Sequence, residues 1–180
     1  MDGNNLRLSL ILRLGGYSGI LLAIIIPTLV LIQIYQLFTQ NTSFIQELYL
    51  ILQLIYLLLA LIYTYAFINL AIKIRNRLLL VASILMLLMS IFIIVFNLFD
   101  LEFSNNILLN IINGIILFSW GIGLWKLKKD FKIAKITGII AIIEGFSYIS
   151  FIFIFLVLFL KIPSIILETV LLFQASKRFK

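Results

Sequence analysis

The chain has no cysteine and no histidine among its 180 residues. Without thiolate or imidazole there is no disulfide framework, and no ordinary zinc, copper, haem or iron–sulfur ligation. A Ser-His or Cys-His nucleophile pair is excluded for the same reason. Charge is scarce too, at 12% of residues against about a quarter in a soluble domain. There is no Gly-rich phosphate loop and no solvated acidic cluster suited to magnesium. Two spaced glutamates can in principle do acid and base work, but no nucleophile accompanies them. The expectation is a protein without catalytic residues, bound metal or cofactor.

What the chain has in excess is apolar surface, with 64% hydrophobic residues and a mean hydropathy of +1.24. That composition describes an all-α, polytopic integral membrane protein, best counted in spans of about 20 apolar residues each. The lipid bilayer is its first partner. After Arg7 and Arg13 the apolar run continues to about Phe38 with no small-x-small cleavage site, so the first segment reads as a retained span and not as a signal peptide. Candidate spans are 15–38, 44–72, 78–98, 106–125, 134–160 and 163–177, forming one helical bundle with no soluble domain. The last is short, so five spans are the alternative.

Charge placement favours six. The net charge is +7, but no solvated domain gathers it into a nucleic-acid surface. Arg7 and Arg13, then Lys73, Arg75 and Arg77, then Lys126, Lys128, Lys129, Lys132 and Lys135, then Lys177, Arg178 and Lys180 all fall on one side if six spans are drawn. Only Lys161 falls opposite, with Glu47, Asp100 and Glu102. The excess of basic residues on cytoplasmic loops then puts both termini in the cytoplasm, with the plasma membrane the expected location.

Local signals agree. Ser43 and Gln46 have the form of a capping box opening span two, Pro163 suits the first turn of span six, and Trp125 sits beside Lys126 as interfacial rings do. Residues 4–14 form either a short interfacial helix or the continuation of span one. Outer loops near 39–43, 99–105 and 161–162 are too short to build a domain.

A few residues stand out against the oily background. Glu144 and Glu168 lie at nearly equal depth on successive spans, where they could meet across a hairpin. With the spans drawn this way no Lys or Arg lies inside one, and intramembrane charge usually faces the bundle interior or a partner. Three outcomes are open: both carboxyls hold protons, they share one, or a cation on another chain neutralises them. Thr137, Glu144 and Tyr148 project from one side of span five. In span two, Gln46, Tyr49, Gln53, Tyr56, Ala60 and Tyr63 follow steps of three and four, and so share a face. Asn106, Asn110, Asn113, Gly114 and Gly121 share one in span four. The candidate intramembrane polar site is therefore Glu144, Glu168, Tyr148, Gln53, Tyr56, Asn110 and Asn113.

Small residues form two seams, Gly15, Gly19 and Ala23 with Pro27 in span one, and Gly138, Ala141 and Gly145 with Ala134 in span five. Such seams let helices approach closely, within the chain or in self-association with another copy. The plan of six spans, short loops and no soluble domain is similar in size and layout to the substrate-binding membrane components of energy-coupling factor transporters, whose coupling helix the seam in span one resembles. No ligand-binding motif accompanies the likeness, so no site residue is taken from it. The functional expectation is a non-catalytic subunit or assembly factor of a membrane complex, with a membrane-protein partner. The alternative is a small-molecule or proton-coupled transporter, or a ligand-binding component, using Glu144 and Glu168.

Overall fold

The computed structural model describes residues 3–38, 43–98, 107–150 and 154–180. Six α-helices account for nearly all of them: α1 Gly3–Phe38, α2 Ser43–Lys73, α3 Arg77–Leu98, α4 Ile107–Lys126, α5 Lys132–Ser150 and α6 Ile154–Arg178. A single 3₁₀ turn, Leu127–Lys129, joins α4 to α5. The loops expected near 39–42 and 99–105, with Asp100, Glu102 and Asn106, lie outside the described residues.

An apolar surround dictates this choice of element, because each backbone N–H and C=O must then be satisfied within its own segment. Several hydroxyls follow the same rule, donating to the carbonyl one turn back in their own helix. Ser18 bonds Leu14, Ser83 bonds Leu79, Thr137 bonds Ile133 and Ser147 bonds Ile143. The outside of the bundle carries Leu14, Ile20, Ile24, Leu58, Ile115, Ile136 and Phe146, all exposed. Water does not favour so continuous an apolar coat; lipid does. Five helices, α1, α2, α4, α5 and α6, are long and apolar enough to cross a membrane, while the corresponding described stretch of α3, Arg77–Phe92, is shorter.

Each helix packs on the next in the chain, and α1 also packs on α6, so the six close into a ring across which α2 meets α6. The two ends of the ring differ. At one end Leu12, Phe67, Leu70, Leu79, Leu124 and Leu171 are buried in a continuous core. The basic segments gather at this end, where side chains tie the helix termini together. Lys73 donates to Asn5, Ser9 to the Ser176 carbonyl, and Arg178 to the Asp130 carbonyl while also pairing with its carboxylate at 2.9 Å. Residues 4–14 continue α1, with Leu8, Ser9 and Leu12 buried; of the two alternatives for this segment, continuation of the helix is the one found.

The turn between α2 and α3 is built without glycine. Asn76 N–H reaches the Ala71 carbonyl and Arg75 N–H the Ile72 carbonyl, the two bonds that close a helix with a left-handed residue. That residue is Arg75, with φ 56°. Asn76 then accepts from Leu79 N–H to cap α3, and donates to the Gly123 carbonyl of α4 at 2.8 Å. Asn76→Ala removes both bonds and is expected to lower stability by about 1–2 kcal/mol. Arg75→Gly relieves a left-handed residue worth about 1–2 kcal/mol, part of which the freer unfolded chain takes back. Unfolding midpoints of the two variants in detergent should therefore move in opposite directions.

Two sequence expectations need correction. Pro163 does not open the last helix, because α6 begins at Ile154 and holds Pro163 in its interior. Consequently Lys161 is not in a loop at 161–162; it lies about two turns inside α6. Residues 151–153 lie outside the described residues, so the boundary concerned is the one between α5 and α6 as described. The apolar run from Phe151 to Leu160 contains no glycine, proline or polar residue to mark it.

The glycine seams find their partners inside the chain. A Cβ on Gly145 would stand 2.5 Å from Phe118 N and 2.7 Å from the Gly114 carbonyl oxygen; one on Gly138 would stand 2.6 Å from Trp125 N and 2.7 Å from the Gly121 oxygen. Thus α4 and α5 touch backbone to backbone, Gly114 opposite Gly145 and Gly121 opposite Gly138, with Ala141 buried between. On α1, Gly15 lies against Ala66 and Gly19 against Thr169 and Tyr63, while Ala23 is half-buried against the core. The close contact that these seams permit is made between helices of one chain.

Candidate functional site

The end of the bundle away from the basic segments is not solidly packed. Three cavities adjoin there, and Tyr56 of α2 and Lys161 of α6 line all of them. The largest, about 490 Å³, lies among α1, α2, α5 and α6 and is walled by Pro27, Val30, Gln33, Tyr49, Tyr148 and Val157 among others. A second, of about 160 Å³, reaches towards Met86, Ser90 and Asn113. The third and smallest, about 60 Å³, is the deepest and includes Glu144, Ser164 and Glu168.

Lys161 organises this region. Its Nζ stands 3.0 Å from Oε1 of Glu144, whose side chain is 1% exposed, whereas the Lys161 side chain keeps 27% exposure. The pair is therefore buried on the carboxylate side and open on the ammonium side. No hydroxyl or amide among the described residues donates to Glu144 Oε1, so Lys161 is what compensates that oxygen. The sequence expectation that no lysine or arginine lies within a span is overturned here. The reason is that Pro163, which suits a helix start, lies inside α6, as prolines can in helices that neighbours support.

Glu168 has a different environment. Tyr63 donates to Oε2 at 2.6 Å, Trp120 Nε1–H to Oε1 at 2.9 Å, and Ser164 to Oε1 at 3.3 Å. Phe67 stands edge-on to both donor rings, with centroids 4.7 Å from Trp120 and 5.2 Å from Tyr63. This aromatic floor, contiguous with the closed core, supplies two donors to the carboxylate, and Ser164 supplies the third. The two glutamates share the smallest cavity, but each has its own partners, and no bond joins them.

Lys161, Ser164 and Glu168 are spaced i, i+3 and i+7, one face of α6. That spacing was the signal available in the sequence for Lys161, had the helix been started earlier. Of the other residues singled out, Tyr148 and Asn113 line cavities, as Tyr56 does. Gln53 is buried on α2 and Asn110 half-buried on α4, and neither lines these three cavities. Along the tyrosine face of α2, Tyr49 accepts from Gln33 of α1 at 2.5 Å, Tyr56 stands at the junction of the cavities, and Tyr63 holds Glu168. Residues missed in the sequence are Trp120, Ser164 and Gln33. A tryptophan deep in an apolar helix was legible as one needing an N–H acceptor. Nothing in Gln33 or Ser164 alone distinguished them.

Among the described residues no group of three or more Asp or Glu could hold a metal ion. What the site can do is hold polar groups, through one ammonium, several hydroxyls and two carboxylates in a mostly apolar shell. Comparison with protein-family models, with curated proteins and with solved structures returns no match, so the expected likeness to energy-coupling factor components finds no support there.

Proposed function

We propose that the chain is a ligand-binding or transport component of the plasma membrane, crossing six times with both termini in the cytoplasm, and that it is not an enzyme. The observation that carries this reading is the Lys161–Glu144 pair, 3.0 Å apart, set on the wall of adjoining cavities instead of inside closed packing. Charge within a bundle is expensive unless it has a use or a partner, and here it is turned towards open volume. Two carboxylates against one ammonium also leave a charge that a bound proton would balance, which favours a proton-linked cycle. The competing reading, a subunit or assembly factor held by a partner's cation, loses ground because Lys161 supplies a cation and both glycine seams are used within the chain. Positive residues at the closed end support a cytoplasmic position for that end, with the chamber on the opposite side.

The absence of cysteine makes a direct test simple, since any introduced thiol is the only one. In intact cells a membrane-impermeant maleimide applied from outside is expected to label Asn113→Cys and Val157→Cys, which line the chamber, and to spare Ala134→Cys in the closed half. Failure to label either chamber position, from outside or in opened cells, rules the chamber out as a water-accessible site. Labelling only in opened cells reverses the orientation.

A further inference from the structure

We propose that the largest of these three cavities takes a small amphiphilic anion, a carboxylate on an aliphatic body, with the carboxylate against Lys161. The inference rests on the ligand-binding reading above and specifies its ligand class. At about 490 Å³ the cavity is in the size range of small-molecule sites, in which an apolar wall holds the body of a ligand and a few polar groups fix its orientation. Here Pro27, Val30 and Val157 belong to the apolar wall, and Lys161, Tyr56 and Tyr148 form the polar end.

The order of charges selects the sign. Lys161 lines both larger cavities, whereas Glu144 and Glu168 reach only the smallest, behind it. A ligand entering the chamber therefore meets the ammonium before either carboxylate. An ammonium carries three N–H donors and no acceptor; Glu144 faces one, and the cavities lie on its open side. A ligand carboxylate can accept from Lys161 and from the two tyrosine hydroxyls together, bonds that strengthen when the acceptor is ionised. A cationic ligand would be repelled at the same point. A neutral one would gain the apolar contacts but forgo the charge-assisted bonds.

The test uses the full chain in lipid nanodiscs with radiolabelled octanoate, and empty nanodiscs as background. The expected result is saturable binding of about one octanoate per chain, displaced by unlabelled octanoate at least tenfold more effectively than by octanol or octylamine. The double variant Lys161→Met with Glu144→Gln, which removes both members of the ion pair together, should weaken binding at least tenfold. Equal displacement by octanol or octylamine overturns the anion assignment, as does absence of saturable binding while the chamber cysteines still label. Failure of those cysteines to label sinks the ligand chamber itself, so the two failures are distinguishable. If the double variant does not elute as a folded bundle, the competition series on the unaltered chain decides alone.

Discussion

Lys161→Met is expected to lower the stability of the folded bundle by about 3–5 kcal/mol, the loss typical of a buried ion pair deprived of one member. The size follows from what is left behind: Glu144, 1% exposed, with no hydroxyl or amide donor on Oε1 among the described residues. Glu144→Gln alone strands the ammonium, but less severely, because Lys161 retains access to the cavities and a long stem on which to move. Combining the substitutions should recover most of the loss, since replacing both members of a buried pair is often neutral. Denaturation midpoints of the four proteins form a double-mutant cycle. A coupling near zero would mean that the 3.0 Å contact contributes nothing in the folded protein.

Gly145→Ala is expected to destabilise the bundle by about 1–3 kcal/mol even though alanine is the better helix former. The added Cβ meets Phe118 N, the Gly114 carbonyl oxygen and Phe118 Cα, all within 2.9 Å and all backbone. No rotamer relieves such contacts, so α4 and α5 must separate. Gly138→Ala meets Trp125 and Gly121 in the same way and should behave alike. Gly16→Ala is the informative contrast: its Cβ would stand 2.8 Å from the Phe173 ring, the end of a side chain that can turn aside. There the helix-propensity gain of roughly 0.5–1 kcal/mol offsets most of the clash, and little change is expected. Thermal midpoints in detergent check the ranking; equal effects at Gly16 and Gly145 would show that backbone contact between α4 and α5 is not what limits the substitution.

These residues also show what could be read from sequence. The helical class and the basic end follow from composition and charge spacing, because apolar surroundings leave the backbone few other solutions. Glu144, Glu168, Tyr56, Tyr148 and Asn113 stood out because polar groups in an oily run need a reason. Lys161 did not, for a physical cause: from Phe151 to Leu160 every residue is apolar, so hydropathy has no contrast at the join of α5 and α6. The next visible mark, Pro163, pulled the boundary too far along. The seam on α5 was legible as a pattern, but its partner was not. Gly114 and Gly121 share the spacing of Gly138 and Gly145, and only the antiparallel register of α4 on α5 reveals that they match.

The position of Lys161 also bears on how the chain enters the bilayer. Among the membrane-crossing candidates, α5 and α6 contain the least apolar stretches, and each has a glutamate within it. On its own, α6 would carry Lys161 and Glu168 into lipid uncompensated, and central charges each disfavour insertion by about 2.5–3.5 kcal/mol. With α5 already beside it, the ammonium of α6 arrives next to the carboxylate of α5. Paired as a hairpin, the two helices bring the ammonium and one carboxylate together, and leave only Glu168 to be held by neutral donors.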